Sequence, residues 1–360
     1  MTSSGGSFLS TDDLSDAARQ VWAKHNQDDK AWLPLRRHMA DSAAVAGRLW
    51  DTWLPSQVRE LISTALPGGA ADARKLAVWI SAVHDCGKAT PAFACQVDGL
   101  ADKMRREGLT MPTGRQLGED RKLAPHGLAG HVLLRDWLVE RHGWRVPDTH
   151  QLTAIVGGHH GVPPSNSAIK DLADHPELLR ARGSETVWSQ VQNELLDWTA
   201  NECEVLDRLP QWAKVKLPQP AQVLLSALVI VSDWIASSRD YFPYTADASP
   251  TDPDRLDNAW AALKLPRPWQ PVLPQESVPD LFASRFDLPS DATVRPVQEE
   301  TVRAAREMRA PGMVIVEAPM GEGKPRPLSR RSRSSPHAPA RAGVSSRYRP
   351  WLPETRCSGG

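Results

Sequence analysis

Apolar residues recur at intervals of three and four positions through most of the chain between residues 12 and 265. This spacing puts them on one face of a helix, and it predicts a mainly α-helical fold. Asp12 and Asp13 are candidate caps for the first helix of this region, and Asp72 is a candidate cap for the helix that leads to residue 84. The clearest helices are predicted over residues 39–54, 74–84, 127–141, 187–206 and 220–238.

A different pattern begins beyond residue 243. Proline is frequent over residues 243–296, which is typical of a linker or an irregular connection. One amphipathic helix is predicted over 298–309 and a short strand over 313–316. The strand leads into GEGK at 321–324, and a strand, a glycine-rich turn and a lysine in this order begin a phosphate-binding loop. The candidate nucleotide-binding residues of this loop are Gly321, Gly323 and Lys324.

The composition changes again after Lys324. Residues 325–360 contain eight Arg, no Lys and one acidic residue, and they show no periodicity. A nucleotide-binding α/β domain needs several parallel strands with crossover helices, and one strand cannot form such a sheet. We therefore expect the α/β domain to be interrupted, and we expect a disordered basic tail over 325–360 and a disordered N-terminus over 1–14.

Composition limits the class of protein. Hydrophobic residues make up 41% of the 360 residues, which is enough for a packed core. The longest apolar stretch, 223–231, is too short to span a membrane, and the N-terminus lacks the pattern of a secretory signal. The four cysteines form no CxxC pair, so we expect reduced thiols, a cytoplasmic location and no membrane partner.

The net charge of zero averages two unlike segments. Outside the basic tail, residues 1–324 contain 35 basic and 42 acidic residues, a net charge of −7. Strong binding to a DNA backbone depends on Lys and Arg that neutralise phosphates. If the substrate is a nucleic acid, we expect a local patch, bound metals or a partner to hold it.

The most informative motif is HDCGK at residues 84–88, which follows the apolar segment 75–83. An adjacent His-Asp pair can ligate one metal through the imidazole and bridge to a second through the carboxylate. A buried Asp85 has a desolvation cost of several kcal/mol unless it is paired or bound to a metal. Lys88 lies one helical turn after His84, where it can offset negative charge or contact a phosphate.

Further candidate ligands are distributed along the chain. His159 and His160 lie between glycines, which permit close approach of the backbone to a site. Asp233 interrupts a helix that is apolar nearly all round, so we expect its carboxylate to be buried and to need a partner. The full candidate metal-ligand set is His38, His84, Asp85, His126, His159, His160 and Asp233. The remaining histidines are expected to be ordinary surface or core residues: His25, His131, His142, His150, His175 and His337.

This set, together with Gly87-Lys88 and the SDWIAS segment around Asp233, resembles the HD nuclease domain of type I CRISPR-associated helicase–nucleases over about residues 15–265. After a linker over 266–294, residues 295–324 resemble the start of that family's superfamily 2 helicase. Gln298 would match the adenine-contacting Q motif. The resemblance implies a mainly α HD-domain helical bundle, a fragmentary RecA-like α/β start and a tail unlike the family.

The resemblance also implies a two-metal site. One ion would be held by His38, His84, Asp85 and Asp233, and the other by His126, His159 and His160, with Asp85 bridging. Imidazole-rich ligation suits Mn, Fe, Co or Ni better than Mg. Asp85 and Lys88 are the implied catalytic residues. Activity should fall in acid, because histidines must be neutral to ligate.

The implied function is metal-dependent cleavage of single-stranded DNA in type I CRISPR interference. The implied partners are the CRISPR surveillance complex and, if the motor is supplied separately, a helicase chain. Two other functions stay open. One is an HD phosphohydrolase acting on nucleotides or cyclic oligonucleotides, and the other is a catalytically inactive remnant or regulatory binding module.

The chain departs from the family at Pro325. The Walker A loop would continue from Lys324 with Thr or Ser, whose hydroxyl contacts magnesium. We therefore expect ATP binding to be impaired, and ATP hydrolysis and unwinding to be absent. A frameshift or premature end after Lys324 is our hypothesis for the simultaneous change in charge, proline content and periodicity.

Overall fold

The computed structural model describes residues 14–245, 253–266, 275–286, 293–308 and 314–317. The chain divides into two compact units between Leu265 and Pro266. Several residues singled out in the sequence lie outside the described residues: Asp12, Asp13, Met313, Gly321, Gly323, Lys324 and the tail 325–360.

The first unit is built almost entirely from helices joined by short connections. Its helices are α1 (Asp16–Gln20), α2 (Leu35–Thr52), α3 (Ser56–Ser63), α4 (Gly69–Val83), α5 (Pro91–Ala94), α6 (Asp98–Arg106), α7 (Gly114–Leu117), α8 (His126–His142), α9 (Val146–Gly157), α10 (Asn166–Ala173), α11 (Glu185–Glu202), α12 (Leu209–Trp212), α13 (Gln219–Ser237) and α14 (Pro253–Leu263). Short 3₁₀ turns span Cys86–Lys88, Asp120–Leu123 and Pro176–Leu178. The predicted mainly α fold is therefore confirmed.

The five helices predicted from periodicity correspond to α2, α4, α8, α11 and α13, and their boundaries differ by at most five residues. Helix α2 begins four residues before its predicted start, and the difference has a physical reason. Its first turn contains Arg36, Arg37 and His38, polar residues that hide the helical period. Arg37 and His38 are nevertheless buried.

Helix starts show which caps the chain uses. The cap of α1 is Ser15, whose hydroxyl accepts from the Ala18 N–H at 3.2 Å. Asp72 does not occupy the cap position of α4, because the cap residue is Gly68. The Asp72 carboxylate instead lies in the first turn of α4, where it accepts hydrogen bonds from the Gly68 N–H at 2.9 Å and the Trp212 indole N–H at 3.0 Å.

The core of the first unit lies where α13 packs against α2, α4 and α9. By length and composition alone, α13 could cross a membrane. Here one side of α13 belongs to the core, with Leu225, Val229 and Ala236 buried. The opposite side leaves Val223 and Trp234 exposed. The helix that carries Asp233 is therefore a packed element of the bundle.

A small antiparallel hairpin precedes α2 and was not predicted. It consists of β1 (Trp22–His25) and β2 (Trp32–Pro34), with a register irregularity between Trp22 and Lys24. Strands this short carry too little alternation to be separated from a loop by pattern alone. The hairpin leads directly into the first turn of α2.

The second unit contains α15 (Val278–Arg285) and α16 (Pro296–Glu307). The helix predicted over 298–309 corresponds to α16, whereas α15 lies within the predicted linker. The strand predicted over 313–316 is wrong for the residues that can be compared. Val314–Glu317 have no regular structure, and Val314 and Ile315 are exposed. A strand requires a neighbour for its backbone groups, and the described part of this unit contains none.

Candidate metal centre

Seven side chains from five separate segments meet at the ends of helices in the first unit. α2 contributes from its first turn, α4 and α9 from the residues just after their last turns, α8 from its first residue, and α13 from near its C-terminus. These side chains are the predicted ligands His38, His84, Asp85, His126, His159, His160 and Asp233. The structure therefore brings the whole predicted set together.

Four of the seven form a buried group. The Nε2 atom of His38 lies 2.9 Å from Oδ2 of Asp85 and 3.2 Å from Oδ1 of Asp233. The Nε2 atom of His84 lies 3.5 Å and 3.4 Å from the same two oxygens. One donor atom from each residue lies within 4.8 Å of the others. Two imidazoles and two carboxylates thus surround one point.

The other three form a more open group made only of imidazoles. The Nε2 atom of His126 lies 3.3 Å from Nε2 of His159 and 2.8 Å from Nε2 of His160. His159 is buried, His126 is half-buried and His160 is exposed. Three ring nitrogens therefore converge at a place that solvent can reach.

Asp85 lies between the two groups. Its Oδ2 atom faces the buried group, and its Oδ1 atom lies 3.4 Å from Nε2 of both His126 and His159. The side chain is only 1% exposed. One carboxylate therefore contributes an oxygen to each group, which is the arrangement of a bridging ligand in a two-metal site.

Two histidines are oriented by the same kind of hydrogen bond, from the ring to a carbonyl of the preceding helical turn. The Nδ1–H of His84 donates to the Ser81 carbonyl at 2.7 Å, and the Nδ1–H of His159 donates to the Val156 carbonyl at 2.6 Å. Each acceptor lies three residues back, among the last carbonyls of a helix that lack intrahelical partners. With the hydrogen on Nδ1, the Nε2 lone pair is free to ligate a metal.

Glycines allow the two groups to approach each other. A Cβ on Gly87 would lie 2.0 Å from the His126 carbonyl oxygen and 2.3 Å from the Gly130 nitrogen. A Cβ on Gly127 would lie 2.9 Å from the Gly157 carbonyl oxygen. Any side chain at position 87 would push α8, and His126 with it, away from Asp85. The glycine of the HDCGK motif is therefore also a packing requirement.

The donor atoms fit a metal. Nε2 of His38, Nε2 of His84 and both oxygens of Asp85 are buried and lack a partner with hydrogen-bond geometry. These atoms lie close to one another, but not in the geometry of hydrogen bonds. Leaving such atoms unsatisfied is costly in a buried environment. Divalent cations at the two centres would satisfy them.

The charged side chains of the buried group strongly affect one another's pKa values. Burial opposes ionisation of Asp85, but the cations of Lys88 and His84 hold its pKa well below the usual range. Burial likewise opposes ionisation of Asp233, and His38 and His84 lower its pKa below the usual range. Burial alone would lower the pKa of His84, yet the carboxylates of Asp85 and Asp233 raise it to about 9.

Lys88 is enclosed beside the carboxylate of Asp85. Its Nζ atom lies 2.6 Å from Oδ2 of Asp85, and its side chain is 4% exposed. Burial lowers the pKa of Lys88 to about 8, although the charge of Asp85 acts in the opposite direction. The ammonium thus offsets part of the negative charge at the centre.

The open group behaves differently. Burial, together with the neighbouring Lys88, His159 and His160, lowers the pKa of His126 to about 3, against the attraction of Asp85. Burial and His159 also lower the pKa of His160. The imidazoles of His126 and His160 are therefore neutral at physiological pH, the form that ligates metals.

Two residues at the centre were missed. The Nζ atom of Lys24 lies 3.5 Å from Oδ1 of Asp233, and Ser237 donates a hydrogen bond to the same oxygen at 2.7 Å. Ser237 lies one helical turn after Asp233, a spacing that could have signalled it. Lys24 lies on the unpredicted hairpin, and nothing in its sequence context marks it.

Of the predicted nucleotide-binding residues, the structure describes only Gln298. Gln298 belongs to α16, where its side-chain oxygen accepts a hydrogen bond from the Arg295 N–H at 3.0 Å. Among the described residues, no histidine outside the predicted ligand set belongs to a group that could hold a metal. His131, for example, contacts the Thr153 carbonyl oxygen at 3.0 Å through Nδ1.

Comparison with known proteins identifies the relatives of this chain. The family described as Cas3, HD domain, matches residues 22–242. The chain is 32% identical to a CRISPR-associated nuclease/helicase Cas3 of Streptococcus thermophilus, over 84% of this chain and 33% of that protein. It is 28% identical to a CRISPR-associated endonuclease/helicase Cas3 of Thermus thermophilus, over 86% of this chain and 32% of that protein.

A solved structure agrees with these relatives. A crystal structure of a CRISPR-associated protein is similar with a TM-score of 0.65 at 28% identity, over 86% of this chain and 34% of that one. The chain thus spans about a third of the length of the relatives it matches. Because the matched family covers more than half of its residues, the chain belongs to the Cas3 HD domain family.

Proposed function

We propose that this chain is a metal-dependent nuclease domain that cleaves single-stranded DNA in type I CRISPR interference. The observation that carries the proposal is the position of Asp85, with one carboxylate oxygen toward each of two ligand groups. Two ions close together form a clamp suited to phosphodiester cleavage. Isolated structural metals have no need of a shared carboxylate.

The chain offers a ligand set for two divalent transition-metal ions. His38, His84 and Asp233 would hold the first with Asp85, and the three histidines of the open group would hold the second. When bound, such ions activate water and stabilise charge on phosphoryl oxygens. Five imidazoles favour Mn, Fe, Co or Ni over Mg, which prefers oxygen ligands.

The residues of the chain have distinct parts in this proposal. Asp85 fixes the spacing between the two groups and, with Lys88, completes the predicted catalytic pair. Lys88 reduces the repulsion between Asp85 and Asp233 in the metal-free protein. The carbonyls behind His84 and His159 keep the Nε2 lone pairs aimed at the centre.

Substrate delivery would come from partners. The acidic body of the domain provides little general attraction for a DNA backbone. The names of the two relatives include a helicase, and a motor of that kind, on this or a separate chain, would feed the strand to the centre. Recruitment by a type I CRISPR surveillance complex, the absence of ATP hydrolysis here and a cytoplasmic location remain predictions.

The test is a cleavage assay on the purified chain together with metal analysis. The chain is loaded with Mn²⁺ or Ni²⁺ and incubated with circular single-stranded DNA, the matching duplex and a cyclic oligoadenylate. Cleavage of the circular single strand, with about two ions per chain, supports the proposal. Hydrolysis of the cyclic oligonucleotide alone would favour a phosphohydrolase, and a fully loaded but inactive protein would favour an inactive remnant.

A further inference from the structure

The hairpin carries a second cation, Lys24, to the edge of the metal centre. In a regular strand, successive side chains point to opposite faces. Trp22 and Ala23 are nevertheless both buried, and the register shifts between Trp22 and Lys24. Such a bulge redirects the side chain that follows it, and bulges are frequent next to active sites. Here the redirected side chain is Lys24, which reaches Asp233.

The backbone beneath Lys24 is anchored on two sides. The Trp22 indole N–H donates to the Ala94 carbonyl at 3.2 Å, and its ring packs against Phe93 at 4.4 Å between centroids. Where the hairpin meets α2, the Leu35 N–H donates to the Val21 carbonyl at 2.7 Å. Because these contacts hold the start of β1, two residues before Lys24, the direction of Lys24 follows from the fold.

The two lysines at the centre differ in how closely they are paired with a carboxylate and in how far they are buried. Lys88 is 2.6 Å from Asp85 and 4% exposed, so its ammonium is enclosed and already paired. Lys24 is 3.5 Å from Asp233 and 21% exposed, so part of its side chain faces solvent. Oδ1 of Asp233 also has closer neighbours in Ser237, His38 and His84. Of the two lysines, Lys24 is thus the more exposed and the more loosely paired.

We propose that Lys24 is a substrate-contacting residue whose ammonium binds a non-bridging phosphate oxygen of the DNA strand, on the side of the centre where Asp233 lies. This inference rests on the proposed nuclease function. A metal held by Asp233 would take up the carboxylate charge that Lys24 now faces, which leaves the ammonium available. Lysine is a compact point charge suited to a phosphate. In a domain of net negative charge, such a contact supplies attraction at the place of cleavage.

The experiment compares Lys24→Gln with Lys30→Gln. Lys30 is an exposed residue in the turn of the same hairpin, so its variant removes an equal charge from the same element without touching the centre. Lys24→Arg restores the charge. Binding is measured by fluorescence anisotropy on metal-loaded protein, with single-stranded phosphorothioate oligonucleotides that are cleaved slowly. A parallel series replaces one linkage at a time with an uncharged methylphosphonate.

We expect Lys24→Gln to weaken binding about tenfold, the loss typical of one hydrogen bond to a charged group. Lys30→Gln should stay close to wild type, and Lys24→Arg should recover most of the affinity. One methylphosphonate position should weaken binding to wild type but not further weaken binding to Lys24→Gln. Metal content, measured by plasma mass spectrometry, should be the same in all four proteins.

Two results would overturn the inference. Equal affinities of Lys24→Gln and Lys30→Gln would show that Lys24 makes no phosphate contact. Loss of metal from Lys24→Gln without the methylphosphonate effect would show that Lys24 only positions Asp233. A wild-type protein that binds no oligonucleotide would contradict the proposed function itself, which is a different outcome from equal binding by wild type and variant.

Discussion

The two ligand groups on either side of Asp85 differ in both chemistry and exposure. The buried group combines two imidazoles with two carboxylates, and all four side chains are buried. The open group has three imidazoles, of which one is buried, one half-buried and one exposed. They share only the carboxylate of Asp85. The centre is therefore asymmetric.

This asymmetry predicts unequal metal binding. The carboxylates of the buried group offset the charge of a cation in a place of low dielectric constant, where the attraction is strong. The open group contains no carboxylate of its own, so its imidazoles hold a cation through their nitrogen lone pairs and with one oxygen of Asp85. We expect a tight, slowly exchanging ion in the buried group and a weaker, faster one in the open group, which is also the side that water and substrate can reach.

The largest loss of activity is expected from Asp85→Ala, which removes the carboxylate common to both groups. Cleavage should fall below detection and metal content should drop, while the helical circular dichroism spectrum stays close to wild type. The matched control is Asp51→Ala, a surface carboxylate paired with Arg74 far along α2. Cleavage retained by Asp85→Ala would reject the two-metal assignment.

The next largest effect is expected from Gly87→Ala, which should separate the groups without removing a ligand. The new Cβ would overlap the His126 carbonyl and the Gly130 nitrogen, so α8 must move. Overpacking of this kind costs about 1–3 kcal/mol of stability. We expect a lower melting temperature and loss of the ion from the open group first.

A control for Gly87→Ala is Gly99→Ala on α6, where an added Cβ meets nothing within 4 Å. That variant should keep wild-type metal content and activity. Equal metal content in Gly87→Ala and Gly99→Ala would mean that the close approach at Gly87 does not set the distance between the groups.

His38→Ala and His160→Ala separate the two groups directly. His160→Ala should keep one ion per chain that resists a chelator, because the buried group is intact. His38→Ala should lose that resistant ion. A chelator time course followed by mass-spectrometric metal analysis gives the comparison. Identical time courses for the two variants would contradict the predicted asymmetry.

The finest distinction is the number of protons released when metal binds. In the metal-free protein His84 has a pKa of about 9, so at pH 7 it must lose a proton to ligate. His126 has a pKa of about 3 and is already neutral. Calorimetry in buffers of different ionisation enthalpy should give about one proton for the ion bound by His160→Ala, in which the buried group is intact. Metal binding to this variant without proton release would contradict the prediction.

The same raised pKa gives a stability effect in the metal-free protein. The pKa of His84 is near 6.5 in the unfolded protein and about 9 in the folded protein. Its contribution to the free energy of unfolding is therefore complete below pH 6.5 and is lost as the pH rises through 9. Melting temperatures of metal-free protein should fall over this range. In metal-loaded protein His84 has no proton on Nε2, so this pH-dependent change in melting temperature should be absent.

The sequence predicted those features that depend on residues close together in the chain. Helices α2, α4 and α13 follow from periodicity, and the need of Asp233 for a partner follows from its apolar surroundings. The pairing of particular ligands did not follow from the residues themselves. It came from the family resemblance, because the meeting of five distant segments depends on how the helices pack.

The misses have the same origin. The hairpin that carries Lys24 is too short for its pattern to be recognised, and its direction depends on a bulge. The apolar run at 313–316 has the composition of a strand, but strand formation requires a neighbour. The position of Asp85 between the two groups depends on the close contact at Gly87, and no spacing along the chain predicts that contact.

The hydrogen bonds behind His84 and His159 have a consequence for the helices that bear them. Both histidines follow directly on the last turns of α4 and α9, where the aligned peptide dipoles leave a partial negative charge. Cations bound at these positions would complement that charge and act as caps for both helix ends. Loading the protein with metal should therefore slow amide hydrogen exchange in the last turns of α4 and α9.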